Sequence, residues 1–201
     1  MFFLTSRSKR VFSSKRVLSF VLAVPAFAGS PIHGVKNFHQ VDEHVFRGAQ
    51  PTGEGFDALA KLGIKTVIDL REQGPRSSAE EKYVTAAGMS YVSIPMTGLT
   101  PPTQSEITRI LALLEDTSKG PVFVHCMRGA DRTGAVIAAY RIDHDLWDSG
   151  RALSEAKSLG MGFFQLPRQN FIRGFEPRAV AAKADAPPAA SSDVTATPVA
   201  R

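Results

Sequence analysis

Val122-Phe123-Val124-His125-Cys126-Met127-Arg128-Gly129-Ala130-Asp131-Arg132-Thr133-Gly134 carries three apolar residues toward the only cysteine of a 201-residue chain, with an arginine six positions beyond it. The apolar run predicts a short buried strand, and a helical pattern extends from Arg132 to about Trp147. A connection of this length can curl so that successive backbone N–H groups point inward and form an anion nest. The helix N-terminus adds its partial positive charge. Both favour thiolate over thiol, which makes Cys126 a candidate nucleophile near neutral pH. Arg132 can grip two oxygens of a phosphoryl group with its planar fork. Gly129 lets the backbone approach closely with no Cβ in the way.

Outward from this loop, strand and helix patterns alternate between about Asn37 and Pro177. Val45-Phe46-Arg47 predicts a strand closed by Gly48 and Pro51. Lys65 to Leu70 and Ser90 to Ile94 predict two more. Helices are expected over Gly55–Leu62, Ser78–Ala87, Ala152–Ser158 and Arg168–Phe175. Another should open at Pro101-Pro102-Thr103, with Ile107, Ile110, Leu111 and Leu114 on one face and Thr103 and Glu106 forming a capping box. The fold class is therefore α/β: a central, mostly parallel sheet of about four or five strands, flanked by helices on both faces. In such sheets ligands bind beyond the carboxyl ends of the strands, where Cys126 falls.

His125-Cys126-x5-Arg132-Thr133-Gly134 resembles the Cys-x5-Arg-Ser/Thr loop of the protein tyrosine phosphatase superfamily. Phe46-Arg47-Gly48-Ala49-Gln50-Pro51 and Ile68-Asp69-Leu70-Arg71 are similar to segments of its small dual-specificity-like branch, found in bacteria, fungi and plants. The resemblance covers roughly residues 37–177. It implies the cysteine-phosphatase fold and a phosphomonoester hydrolase working through a cysteinyl-phosphate, with no metal and no cofactor. Cys126 would be the nucleophile and Arg132 the transition-state clamp. Thr133 would offer its hydroxyl to the sulfur, and His125 would orient the loop. Backbone amides of Met127, Arg128, Gly129 and Ala130 would hold the phosphoryl oxygens.

The chain departs from the family at the general acid. Most members carry an aspartate between the third strand and the next helix, but Pro95-Met96-Thr97-Gly98-Leu99-Thr100-Pro101-Pro102 has no carboxylate. Asp131 is the expected substitute. Some superfamily members, among them myotubularin-like and Sac-like phosphoinositide phosphatases, also place Asp immediately before the Arg. Asp69 is the alternative acid, although Asp69 and Arg71 also read as braces of the loop scaffold. Asp131 has a plainer reading too, as the cap of the following helix. Arg128 is either a second anion contact or a solvated charge. Arg47 and Gln50 either fix the opening turn or touch substrate, and Phe163-Phe164 reads as core or rim packing.

The expected substrate is a phosphorylated protein or a phosphoinositide or inositol phosphate. A catalytically weak phosphate-binding pseudophosphatase is the alternative function. No aromatic wall for phosphotyrosine is evident in the sequence, which favours a broad or non-protein substrate. A lone cysteine excludes an intrachain disulfide and a Cys-clustered zinc site.

The net charge of +5 and pI near 9.6 do not signal a nucleic-acid partner. Arg7, Lys9, Arg10, Lys15 and Arg16 lie in an acid-free leader, and without them 19 basic residues balance 19 acidic ones. Residues 1–28 read as an export signal, with an apolar run Val17–Ala28 ending in Ala26-Phe27-Ala28. The run is too short for an ordinary membrane span of roughly 20 residues. Periplasmic or secreted localisation is expected, with organelle targeting or an uncleaved anchor as alternatives. Membrane contact is expected only with an uncleaved leader or a lipid substrate. Residues 29–177 form the expected phosphatase domain, and the Ala/Pro/Ser/Thr-rich 178–201 an expected disordered tail.

Overall fold

A computed structural model of the chain describes residues 31–178. The expected leader and nearly all of the expected tail lie outside the described residues.

Twelve elements follow in order: β1 (His39–Gln40), β2 (Val45–Ala49), α1 (Gly53–Lys61), β3 (Thr66–Asp69), α2 (Pro75–Ala86), β4 (Ser90–Ser93), α3 (Gln104–Glu115), a 3-10 turn (Thr117–Lys119), β5 (Val122–Cys126), α4 (Asp131–Asp143), α5 (Ser149–Ser158) and α6 (Leu166–Gly174). The sheet order is β1-β2-β5-β3-β4, five strands of the mostly parallel sheet expected, with β1 an edge strand the sequence did not show. β2, β5, β3 and β4 are parallel, while β1 runs antiparallel to β2. Two residues are too few for a periodic signal, so β1 leaves no trace in the hydrophobic pattern.

Strand alternation sorts β5 between two cores. Val122, Val124 and Cys126 join Ile107, Ile110, Leu111 and Leu114 of α3 and Val136, Ile137 and Tyr140 of α4. Phe123 points the other way, to Phe56 and Leu59 of α1 and Val84 of α2. The nucleophile candidate therefore faces α4, and His125 faces α2. Thr103 caps α3 by accepting from the Glu106 N–H at 3.2 Å, and the Glu106 carboxylate accepts the Thr103 N–H at 2.6 Å.

One expected boundary is corrected. The helix begun beside Arg132 ends at Asp143, not Trp147. Leu146 takes a positive φ of 56°, and Asp148 accepts from Arg151 N–H to start α5. The chain turns there so that α5 can pack back on α4 through Ala135, Ala138, Ala152 and Ala156. Trp147 lies between the guanidinium groups of Arg141 and Arg151, 4.5 and 3.6 Å from its ring centroid.

Candidate active site

Central strand β5 delivers Cys126 to the carboxyl edge of the sheet, and Met127 to Ala130 close the loop before α4. The loop keeps its shape because its carbonyls are held from outside. Asn37 Nδ2 donates to the carbonyls of Arg128 (3.3 Å) and Gly129 (3.0 Å). Arg47 Nη2 donates to the same Gly129 oxygen at 2.6 Å, and the Gln50 N–H reaches the Met127 oxygen at 3.4 Å. With the carbonyls turned out, the N–H groups are free to face the sulfur. Gly129 makes the bend possible with φ of 66°.

Cys126 is buried, with 4% of its surface exposed at the base of a pocket of about 230 Å³. Burial pushes its thiol up. Hydrogen bonds from the Thr133 hydroxyl and from the N–H groups of Thr133, Arg128 and Gly129 outweigh that effect and hold it below the ordinary cysteine range. Thr133 Oγ1 is buried with no oxygen or nitrogen partner, which leaves its hydroxyl for the sulfur. Arg132 and Arg128 line the same pocket. Arg132 Nε is unpartnered, and its Nη2 makes only a loose ion pair, 3.5 Å from Glu72 Oε1. The arrangement therefore offers an anion site of backbone donors, a thiolate beneath it and an arginine fork beside it.

Asp131 lies at the pocket, but both its oxygens are engaged. Oδ1 accepts the Gly162 N–H at 2.9 Å, and Oδ2 pairs with Arg128. Asp69 is more deeply committed. It accepts Arg71 Nε at 2.8 Å, Arg71 Nη2 at 2.6 Å and the Tyr91 hydroxyl at 2.8 Å, with no surface exposed. Burial pushes the Asp69 carboxyl up, but its bonds to Arg71 and the charge of His125 prevail and hold it below the usual carboxylate range. Glu80 of α2 completes the group, accepting Arg71 Nη2 at 2.7 Å and lying 2.8 Å from His125 Nε2. Asp69, Glu80 and His125 could cluster around a cation, but the Arg71 guanidinium already bridges the two carboxylates. The group braces β3, β5 and α2 behind the loop.

Five contributors escaped the sequence reading. Asn37 and Glu80 belong to no motif, and the sequence leaves Arg47 between two roles. Arg168 is buried against the pocket wall, where Nη2 donates to the Gly98 carbonyl at 2.7 Å and Nη1 pairs with Gln165. It ties the Pro95–Pro102 loop to α6. Glu72 bridges that same loop to Arg132, accepting the Gly98 N–H at 2.9 Å. Arg168's low exposure on a helix of mixed polarity leaves no periodic signal. Glu72 could have been flagged only as a carboxylate just past a strand end.

Parallel strands ending in a Cys-x5-Arg-Thr anion loop ahead of a helix define the architecture of the protein tyrosine phosphatase superfamily. The chain belongs, more narrowly, to the family of DSP-PTPase phosphatases fused to NAD+ kinase, whose family model matches residues 30–174. The dual specificity protein phosphatase TpbA of Pseudomonas aeruginosa (strain UCBPP-PA14) is 30% identical over 127 residues, 63% of this chain and 56% of that one. Inositol diphosphatase DSP3 of Arabidopsis thaliana is 28% identical over 145 residues, 70% of each chain. The crystal structure of P. aeruginosa TpbA superposes with a TM-score of 0.63 at 26% identity, covering 75% of this chain and 91% of the other. A probable chloroplastic NAD kinase 2 of Oryza sativa subsp. japonica matches over 100 residues, 10% of its length. The chain thus spans little more than half, or much less, of the first curated relatives it matches.

Proposed function

We propose that the protein hydrolyses phosphomonoesters through a cysteinyl-phosphate on Cys126. The observation that carries this reading is one pocket holding a buried cysteine with a depressed thiol pKa and the guanidinium of Arg132. The phosphoryl group sits on the loop N–H groups of Met127 to Arg132, with two oxygens in the Arg132 fork. Cys126 Sγ attacks phosphorus as the ester oxygen departs, and water then releases inorganic phosphate. Thr133 stabilises the returning thiolate. His125, facing Glu80 and stacked 5.6 Å from Phe123, holds the strand end in place.

Phosphotyrosine and inositol diphosphates are the substrate types to compare. TpbA has been captured with phosphotyrosine, and the Arabidopsis relative is an inositol diphosphatase. Arg128 is paired with Asp131 and Arg132 with Glu72, while Arg168, held only by neutral groups, leaves the pocket wall a positive charge for the phosphoryl group. Phe163 and Phe164 are exposed on the loop whose Gly162 donates to Asp131, just before the pocket residue Gln165 in the chain. The exposed rings favour a phosphoryl group with an aromatic or apolar neighbour. The Val17–Ala28 run supports action after export.

The test is turnover of phosphotyrosine peptide, phosphoserine peptide and an inositol diphosphate by the full chain, beside Cys126→Ser. Phosphate release by the variant should fall below about a thousandth of wild type. Activity that survives the substitution would overturn the covalent reading. Phosphate binding without turnover by the wild type would leave the binding-only alternative.

A further inference from the structure

The leaving oxygen of a phosphomonoester needs a proton unless it is strongly activated, and the Pro95–Pro102 loop has no carboxylate to give one. Asp131 holds Gly162 with one oxygen and Arg128 with the other, so releasing it would loosen the loop from α5 and α6. Asp69 is sealed among Arg71 and Tyr91 on the far side of the sheet. Glu72 differs from both. It is 56% exposed on the loop after β3, and only Oε1 is engaged, to Gly98 N–H at 2.9 Å and to Arg132 at 3.5 Å. Gly98 and Arg132 themselves line the Cys126 pocket. The carboxylate that reaches the gap in the acid loop therefore comes from the loop after β3.

We propose that Glu72 is the general acid, and then the general base, of the reaction. The proposal rests on the phosphatase reading above. When a phosphoryl group takes the Arg132 fork, it displaces the 3.5 Å contact to Glu72, and the exposed carboxyl, carrying a proton taken from solvent, is free to turn to the leaving oxygen. Attack forms the Sγ–P bond and breaks the ester P–O bond. The Glu72 proton passes to the departing oxygen, and the free alcohol or phenol leaves. In the second step the Glu72 carboxylate takes a proton from water as the water oxygen bonds to phosphorus. The S–P bond then breaks, and the electron pair returns to the Cys126 thiolate. The same placement gives Arg132 and Glu72 a relay: one contact is surrendered to phosphate, and the surrender frees the acid.

The experiment measures kcat for aryl phosphates of graded leaving-group basicity, from 2,4-dinitrophenyl to phenyl phosphate, in wild type, Glu72→Gln, Glu72→Ala and Asp131→Asn. For both Glu72 variants the expected loss grows from a few-fold with dinitrophenyl phosphate to roughly a hundredfold with phenyl phosphate. Asp131→Asn should depress all substrates by a similar factor. Gln keeps an oxygen for the Gly98 N–H, so wild-type leaving-group dependence in Glu72→Gln would reduce Glu72 to a positioning role and overturn the proposal. Steepening in Asp131→Asn alone would overturn it as well. Trapping of phosphocysteine during dinitrophenyl phosphate turnover separates the two levels. If phosphocysteine forms while Glu72→Gln behaves as wild type, only the Glu72 proposal fails, and if none forms in the wild type, the reading beneath it fails too.

Discussion

Arg47 of β2 donates from Nη2 to the Gly129 carbonyl at 2.6 Å, placing a buried guanidinium directly behind the anion loop. Burial drops its pKa to about 10, and the Cys126 thiolate is among the negative groups that offset the drop. The coupling is mutual, because a cation that gains from the thiolate must also stabilise it. Arg47→Met should raise the Cys126 pKa and shift the rise of the iodoacetamide alkylation rate to higher pH. The alkylation rate against pH checks this. An unmoved midpoint would reduce Arg47 to a tie for the Gly129 carbonyl.

Gly129 is the loop position least able to accept a side chain. At φ of 66°, an added Cβ would lie 2.5 Å from Ala49 N and closer still to the Gly48 carbonyl. Both obstacles are β2 backbone, which the sheet holds fixed. Gly129→Ala should therefore displace the loop from Arg47 and Asn37, costing about 2–4 kcal/mol of stability and weakening vanadate binding more than tenfold. Thermal melts with and without vanadate distinguish a bent loop from a fold that only tolerates heat less well.

The Arg71 guanidinium sits between Asp69 and Glu80 with 5% of its side chain exposed. Because Asp69 has a depressed pKa in the folded state, its contribution is present above the unfolded carboxylate value of about 4. That contribution is lost as pH falls through the lower folded value, so wild-type stability should decline in that acidic window. Arg71→Met removes the counter-charge and leaves two buried carboxylates, at a cost of about 3–5 kcal/mol at neutral pH. Without Arg71, burial is free to raise the Asp69 carboxyl, and the sign reverses: the variant gains stability as pH drops from neutral toward 5. Urea melts across pH 3 to 8 report both slopes.

What could be read along the chain was local. Cys126, Arg132 and Thr133 lie within eight consecutive residues, and the Thr103–Glu106 box spans four, so spacing alone specifies them. Strand alternation likewise separates Phe123 from Val122 and Val124. The supports were not local. Asn37 meets Arg128 across 91 positions, and Arg132 meets Glu72 across 60. Glu80 occupies a largely polar helix whose pattern gives no reason to bury it. The Asp143 end of α4 was hidden because Leu146 and Trp147 continue an apolar rhythm, while packing of α5 on α4 sets the turn.

Met127 of the pocket lining is exposed, and so are Leu99, Phe163, Phe164 and Leu166, each within two residues of a lining residue along the chain. Phe164 folds over Gly162, where a Cβ would meet its ring at 2.7 Å, and Phe163 projects with 86% of its surface in solvent. A ring so exposed contributes little to the fold, so Phe163→Ser should change unfolding free energy by less than about 0.5 kcal/mol. Against a substrate the same ring has area to bury and a face to stack. The substitution should therefore raise KM for a phosphotyrosine peptide several-fold more than KM for an inositol diphosphate. Equal shifts for both substrates would mean that the apolar edge does not select the leaving group, and the preference for an aromatic neighbour would fall with it.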